Sequence, residues 1–441
     1  MIKEKQMKFK NILILLTVAL LTVFVLAGCP GEPTVNPPAP DSNSDLVADP
    51  VLAAGANVSI PKWDVNTAAK SGLSAVSFSG GKTNINAKLI SAVADTAFFN
   101  GKEVKNLIVF VENGVSKELI AEAESTYGNL IMTKFPVAKE AAVLNADGTT
   151  ADAYAAATAL FSGEATKNGN LGLDKNDGNV SSFVEKIISE GKSPRTRGLV
   201  SNGDLADPFI SGVYLNTNDF SNKSRIYETV FIPCDVPDTF ICGKGSFDEF
   251  FSAGSAYKTN EVYKARRYLA KDFKDTVEVI TQKRLFQLDA YPDANAVPSK
   301  VVSELSGNFG RYDTTGDLPS FQQLVAAGIS TLDKKNAYKK QKKGICLVVN
   351  DTAAEEYIKA GNKDAALRQI QNFDEGVAVA SRFAFDNPDT LILVTSGYVA
   401  DANGITNAKT PVYVLGAKAD SLSANENFTL ADLGKFLCSL E

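Results

Sequence analysis

Four short runs, apolar at almost every position, constrain this chain more than any other feature: residues 107–111 (LIVFV), 345–349 (ICLVV), 391–394 (LILV) and 411–415 (PVYVL). Each is too short for a buried helix and is bounded by turn residues, and the apolar positions are continuous instead of alternating. Strands of that kind need cover on both faces, which is how parallel sheets are built. The segments between them carry helix signals. Ser116 opens one that runs to Glu124. Asp152 precedes an Ala-rich run to Phe161 that Gly163 stops. Residues 180–190 are amphipathic and lead into the strand-like 198–200, and a long helix is predicted from about Asp364 to Asn387. The order predicts an α/β fold, doubly wound, with a mostly parallel central sheet, helices on both faces, and ligands at the carboxyl ends of the strands.

The first residues read differently. Lys3, Lys5, Lys8 and Lys10 precede an apolar run from Ile12 to Ala27, and Leu26-Ala27-Gly28 stand directly before Cys29. The run falls short of the roughly 20 residues a bilayer span needs. A basic region, an apolar region and a small-residue cleavage site make a signal peptide, and the cysteine after them resembles the lipobox of bacterial lipoproteins. Residues 1–28 are expected to be removed, leaving Cys29 as the lipidation site. Residues 29–56, rich in Pro, Asn, Asp and Ser, read as a flexible tether, and residues 57–441 as the folded α/β body. The expected location is an exported lipoprotein at the periplasmic face or the cell surface, held to the membrane through lipid on Cys29.

Losing four lysines and one glutamate with the signal moves the formal charge from −6 to −9. So acidic a body excludes nucleic acid as a partner. The Lys-rich stretch 334–343 reads as a solvated helix end or loop, with anionic lipid contact as the other reading. Cys234 and Cys242 are close enough in sequence for a short-loop disulfide in an oxidising compartment, although spacing alone leaves the pairing open. Cys346, inside an apolar run, reads as a buried small hydrophobe. Trp63 reads as a packing residue. The chain has no histidine. That excludes Ser-His-Asp and Cys-His chemistry and histidine-ligated zinc.

From Val104 to Leu415 the order of segments resembles the alkaline phosphatase family. VFVENGVS (109–116) stands where the family has a GDGMG-like turn, which puts Asn113 at a metal-binding aspartate. Phe135-Pro136 precedes ADAYAAATALFSG (151–163), similar to the family's TDSAAAATALATG, with Asp152 at a metal-binding aspartate and Ala153 at the serine nucleophile. Gly191-Lys192-Ser193 and Gly198-Leu199-Val200 are similar to GKSTGLV, and Asp207-Pro208 answers the threonine ligand of THATPA. The stretch from Lys343 to Asn350 is similar to KGFFLMVEG, with Asn350 at the glutamate ligand. Glu355 then matches the next aspartate, Lys359 or its neighbourhood the histidine after it, and Gly397-Tyr398 the Asp-His pair of NPDTLVIVTADH; the last family histidine falls near Ile405.

The resemblance therefore implies the fold while its chemistry is missing. A metal-activated serine between paired zinc ions cannot be assembled from these residues. Asp152, Asp207 and Glu355 are the candidate ligands that survive, suited to one Mg²⁺ or Ca²⁺, and no cofactor is the simpler expectation. Asp152 also reads as a helix N-cap, and Glu355-Glu356 as a pair favoured by a helix start. Two functions stay open: a non-catalytic binding or structural protein whose ligand is unknown, and a phosphomonoesterase using carboxylate ligands and water. An unrelated solute-binding lipoprotein is the third reading. The family likeness is compatible with a homodimer.

Overall fold

The computed structural model describes residues 76–79, 82–85, 87–189, 195–231, 239–243, 278–281, 321–338, 344–422 and 427–440. The signal, Cys29, the tether, Trp63, Cys234 and the Lys192-Ser193 pair lie outside the described residues, as do the side chains of Cys242 and of the stretch 334–343.

Strands β1 (Val76–Ser79) and β2 (Lys82–Ile85) form a hairpin, and helix α1 (Ala87–Val93) follows. The chain then enters β3 (Asn106–Glu112), helix α2 (Lys117–Tyr127) and strand β4 (Val137–Ala141). Helix α3 (Ala153–Ser162) is the Ala-rich segment. Helix α4 (Phe183–Ser189) starts later than the amphipathic pattern, because Ser182 and Glu185 cap it reciprocally: Glu185 N donates to Ser182 Oγ and Ser182 N to Glu185 Oε2. Strand β5 (Thr196–Ser201) and the short helices α5 (Pro208–Ser211) and α6 (Lys223–Phe231) come next, then β6 (Thr239–Gly243), β7 (Glu278–Thr281) and helix α7 (Phe321–Tyr338). The last part holds β8 (Ile345–Asp351), α8 (Ala353–Lys359), α9 (Lys363–Asp386), β9 (Thr390–Thr395), the hairpin β10 (Ala400–Asp401) and β11 (Gly404–Ile405), β12 (Thr410–Gly416) and α10 (Leu430–Cys438).

Eight strands form one sheet in the order β4-β12-β9-β3-β8-β5-β6-β7. From β9 to β7 all neighbours run parallel, while β12 is antiparallel to both β9 and β4. The sheet is thus mixed and mostly parallel. Alternation along β3 divides the interior: Ile108 and Phe110 enter the core beneath α1, α2, α7 and α9, whereas Leu107, Val109 and Val111 enter that beneath α3, α4, α5 and α10. Every residue of β3, β5, β8, β9 and β12 is buried, as two-sided cover requires. Phe110 meets Phe373 of α9 edge to face at 5.7 Å, and Phe373 stacks on Phe321 of α7 at 5.3 Å. Cys346 is buried as a thiol. Among the described residues no helix is long and apolar enough to cross a membrane.

Candidate functional site

The carboxyl ends of β3, β5, β8 and β9 bring the sequence candidates together. Register pairs Ser201 with Asn350 and Asn350 with Val111, so a period of two puts Ser201, Asn350 and Asn113 on one face of the sheet. Ser201 Oγ donates to Asn350 Oδ1 (3.3 Å), Asn350 Nδ2 to Asn113 Oδ1 (2.8 Å), and Asn113 Nδ2 to Asp207 Oδ2 (2.9 Å). The other oxygen of Asp207 accepts from Phe209 N (2.9 Å), which makes Asp207 the N-cap of α5. Three residues far apart in sequence thus form one directional chain ending on a buried carboxylate. Burial raises the pKa of Asp207 to about 7, helped by the charges of Glu355 and Asp204; the hydrogen bonds from Phe209 N and Asn113 oppose the shift.

Glu355 flanks this chain. It is buried on α8, and its Cγ and Cβ would stand 3.0 and 3.2 Å from a Cβ at Gly114, whose φ of +79° itself favours glycine. Lys359 Nζ lies 2.6 Å from Glu355 Oε1, one helical turn on. Tyr398 donates its hydroxyl to Glu355, and burial first, then the carboxylates of Glu355 and Asp207, push the phenol pKa far up. The ring of Tyr398 lies 5.9 Å from that of Phe209. Gly397, φ +69°, has Phe209 against the space a Cβ would need. Ile405 pairs with Ala400 in the small hairpin next to this corner.

The nucleophile end is quieter. Asp152 Oδ1 accepts from Ala155 N (2.8 Å) and Oδ2 from Gly169 N (2.7 Å), so both oxygens serve the helix start and the following loop. Ala153 is the first residue of α3 and offers no hydroxyl. Tyr154 stacks on Phe220 at 3.9 Å, and burial, with the charges of Asp152 and Asp207, raises its pKa.

Other functional-looking groups escape the sequence reading. Asp204 accepts from Tyr227 Oη (2.6 Å), Ala206 N (2.8 Å) and Lys223 Nζ (3.2 Å); burial works against these bonds and Lys223's charge, which together hold its pKa below the usual range. Glu112 and Asp351 are in register on the opposite face of the sheet, beneath α9. Asp351 accepts from Asn202 Nδ2 (2.6 Å), Gln369 Nε2 (2.7 Å) and Ala353 N (2.8 Å). Asp374 of α9 accepts from Ile131 N and Met132 N. Glu112 is buried with Oε1 unpartnered, and burial, then Asp351 and Asp374, push its pKa well up. The motifs quoted above carry glycine at both places, GDGMG before the aspartate and KGFFLMVEG after the glutamate. Carboxylates thus stand one residue along from the amides Asn113 and Asn350, on the other face. The pattern was visible as Glu112-Asn113 and Asn350-Asp351, but only strand register shows that they meet.

The donor set does not fit the zinc pair that the resemblance implies. Asn113 presents its NH₂ group, not a lone pair, to Asp207, and both oxygens of Asp207 accept hydrogen bonds. Among the described residues no three Asp, Glu or Cys side chains converge in a way that holds a metal ion.

No protein-family model matches the chain. It is 25% identical over 358 residues to alkaline phosphatase 4 of Bacillus subtilis (strain 168), covering 77% of this chain and 71% of that protein. Alkaline phosphatase 3 of the same organism is 23% identical over 331 residues, covering 70% and 65%. Among solved structures, alkaline phosphatase from the Antarctic bacterium TAB5 superposes with TM-score 0.53 at 14% identity, over 77% of this chain and 98% of that one. A cold-active alkaline phosphatase from a psychrophilic Shewanella sp. gives 0.56 at 13%, over 76% and 99%. The order of motifs and the sheet agree with these likenesses: the chain has the alkaline phosphatase fold and is similar in sequence to proteins named alkaline phosphatase.

Proposed function

We propose that this chain is an exported, membrane-anchored lipoprotein whose alkaline-phosphatase-like fold has lost catalysis and serves as a binding or structural protein. The observation that carries the reading is the chain Asn350–Asn113–Asp207, in which amide hydrogens occupy the directions that metal ligation reserves for oxygen lone pairs. Ala153 supports it, because no hydroxyl stands at the matched nucleophile position. No resident metal is part of the reading, and the membrane contact is lipid on Cys29. Purified protein assayed on a phosphomonoester, with and without Zn²⁺ and Mg²⁺, is expected to show no turnover above buffer. Turnover abolished by Asp152→Ala would refute the reading. Likeness to proteins named alkaline phosphatases favours a second reading, a carboxylate-based phosphomonoesterase, which that same turnover would establish. Acyl labelling of the expressed chain, lost in Cys29→Ala, tests the anchor.

A further inference from the structure

We infer that Lys359 is the resident cation of this cleft: it neutralises Glu355 where the resemblance places a metal ion, and removing it turns the cleft into a divalent-cation site. The inference deepens the reading above and rests on it. An ordinary helix pair four residues apart has both partners in water and contributes little. This pair differs because its two ends lie in different surroundings. The side chain of Lys359 is 51% exposed and that of Glu355 only 11%. The Cβ and Cγ of Glu355 crowd Gly114, the neighbour of Asn113, its carboxylate accepts the hydroxyl of Tyr398, and its charge acts on the buried Asp207 to which Asn113 donates.

Two buried carboxylates that feel one another's charge need a positive charge nearby. Lys359 supplies it from the solvent side, on a covalent stem, with no exchangeable ion. The stem also fixes stoichiometry, since a lysine on the last turn of α8 reaches Glu355 whatever the metal content of the surroundings. Without that ammonium, Glu355 Oε1 loses its counter-charge, while Glu355 still packs on Gly114, next in the chain to the Asn113 that is bonded to Asp207. Two carboxylates, an amide oxygen after rotation of Asn113, and water are a donor set that a hard divalent cation accepts.

The test uses the detergent-solubilised full chain and Mn²⁺, followed by its spin-resonance signal and by thermal melting. Wild type is expected to hold no stoichiometric Mn²⁺ and to melt at the same temperature with and without it. Lys359→Ala is expected to melt lower, to bind one Mn²⁺ at least about tenfold more tightly than wild type, and to regain melting temperature with it. Lys359→Arg should behave as wild type, and Lys359→Ala with Glu355→Gln should lose the gained ion. Stoichiometric Mn²⁺ in wild type that Glu355→Gln removes would overturn the inference, as would a Lys359→Ala protein that gains no ion. If that variant does not fold, the neutral double variant should; its failure to fold would also overturn it. Phosphomonoester turnover by wild type would sink the non-catalytic reading instead, and is scored separately from ion uptake.

Discussion

Asn113→Asp puts the central hydrogen bond of the cleft under direct test. In wild type Asn113 Nδ2 donates to Asp207 Oδ2 at 2.9 Å. The substitution replaces that donor by an acceptor of the same shape, so two carboxylates face each other at a buried position. At a separation of about 4 Å and an effective dielectric constant of about 20, their repulsion is about 4 kcal/mol. One proton shared between them removes most of that cost. Asp207 already has its pKa raised to about 7, so the folded variant binds protons that the unfolded chain releases near pH 4. Because the folded state holds more protons, stability is present at low pH and is lost as pH rises through the folded pKa values. Urea unfolding should therefore show Asn113→Asp losing about 1 kcal/mol or less against wild type at pH 5 and about 3–4 kcal/mol at pH 8. An equal loss at both pH values would refute the contact between these two side chains, and no loss at pH 8 would refute their burial.

Three further perturbations test the elements on the two faces of the sheet. Glu112→Gln removes a buried acid whose pKa is raised by burial, Asp351 and Asp374, so its contribution is present below its ordinary pKa and lost as pH climbs; the variant should flatten the fall in stability above pH 5 by up to about 1.4 kcal/mol per pH unit, measured by urea midpoints. Asp152→Ala removes the cap of α3 and the tie to Gly169, with an expected loss of about 1–2 kcal/mol in the same assay; no loss would count against the capping role. Phe110→Ala empties a fully buried place against Phe373, which should cost about 3–5 kcal/mol and leave the pH dependence of the cleft unchanged.

The fold was legible because its signals are local. Continuous apolar runs with turn residues at their ends named the strands at 107–111, 345–349 and 391–394, and caps at Ser116 and Asp152 marked helix starts that the structure places at Lys117 and Ala153. Direction was less legible. β12 reads like the parallel strands yet runs antiparallel to β9, because an apolar run buried on both faces carries no mark of its orientation. The late start of α4 came from a cap at Ser182 that the amphipathic pattern overran.

The cleft was legible in a different way, through the order of borrowed motifs. That order put Asn113, Asp207 and Asn350 on one list, and the register of β3, β5 and β8 makes them neighbours. What no list could supply was the direction of each amide, and direction decides the chemistry. An asparagine with its oxygen turned to Asp207 would be a ligand; with its nitrogen turned there it is a hydrogen-bond donor. The same parity separates the acids beneath α9 from the cleft. Glu112 and Asp351 each sit one residue from an amide, and in a strand one residue is the thickness of the sheet. Acidic residues thus stand beside the matched ligand positions in sequence, while their side chains lie across the sheet from Asn113 and Asn350. Asn113→Asp alone therefore creates repulsion instead of a ligand set, unless a cation enters from solvent past Lys359.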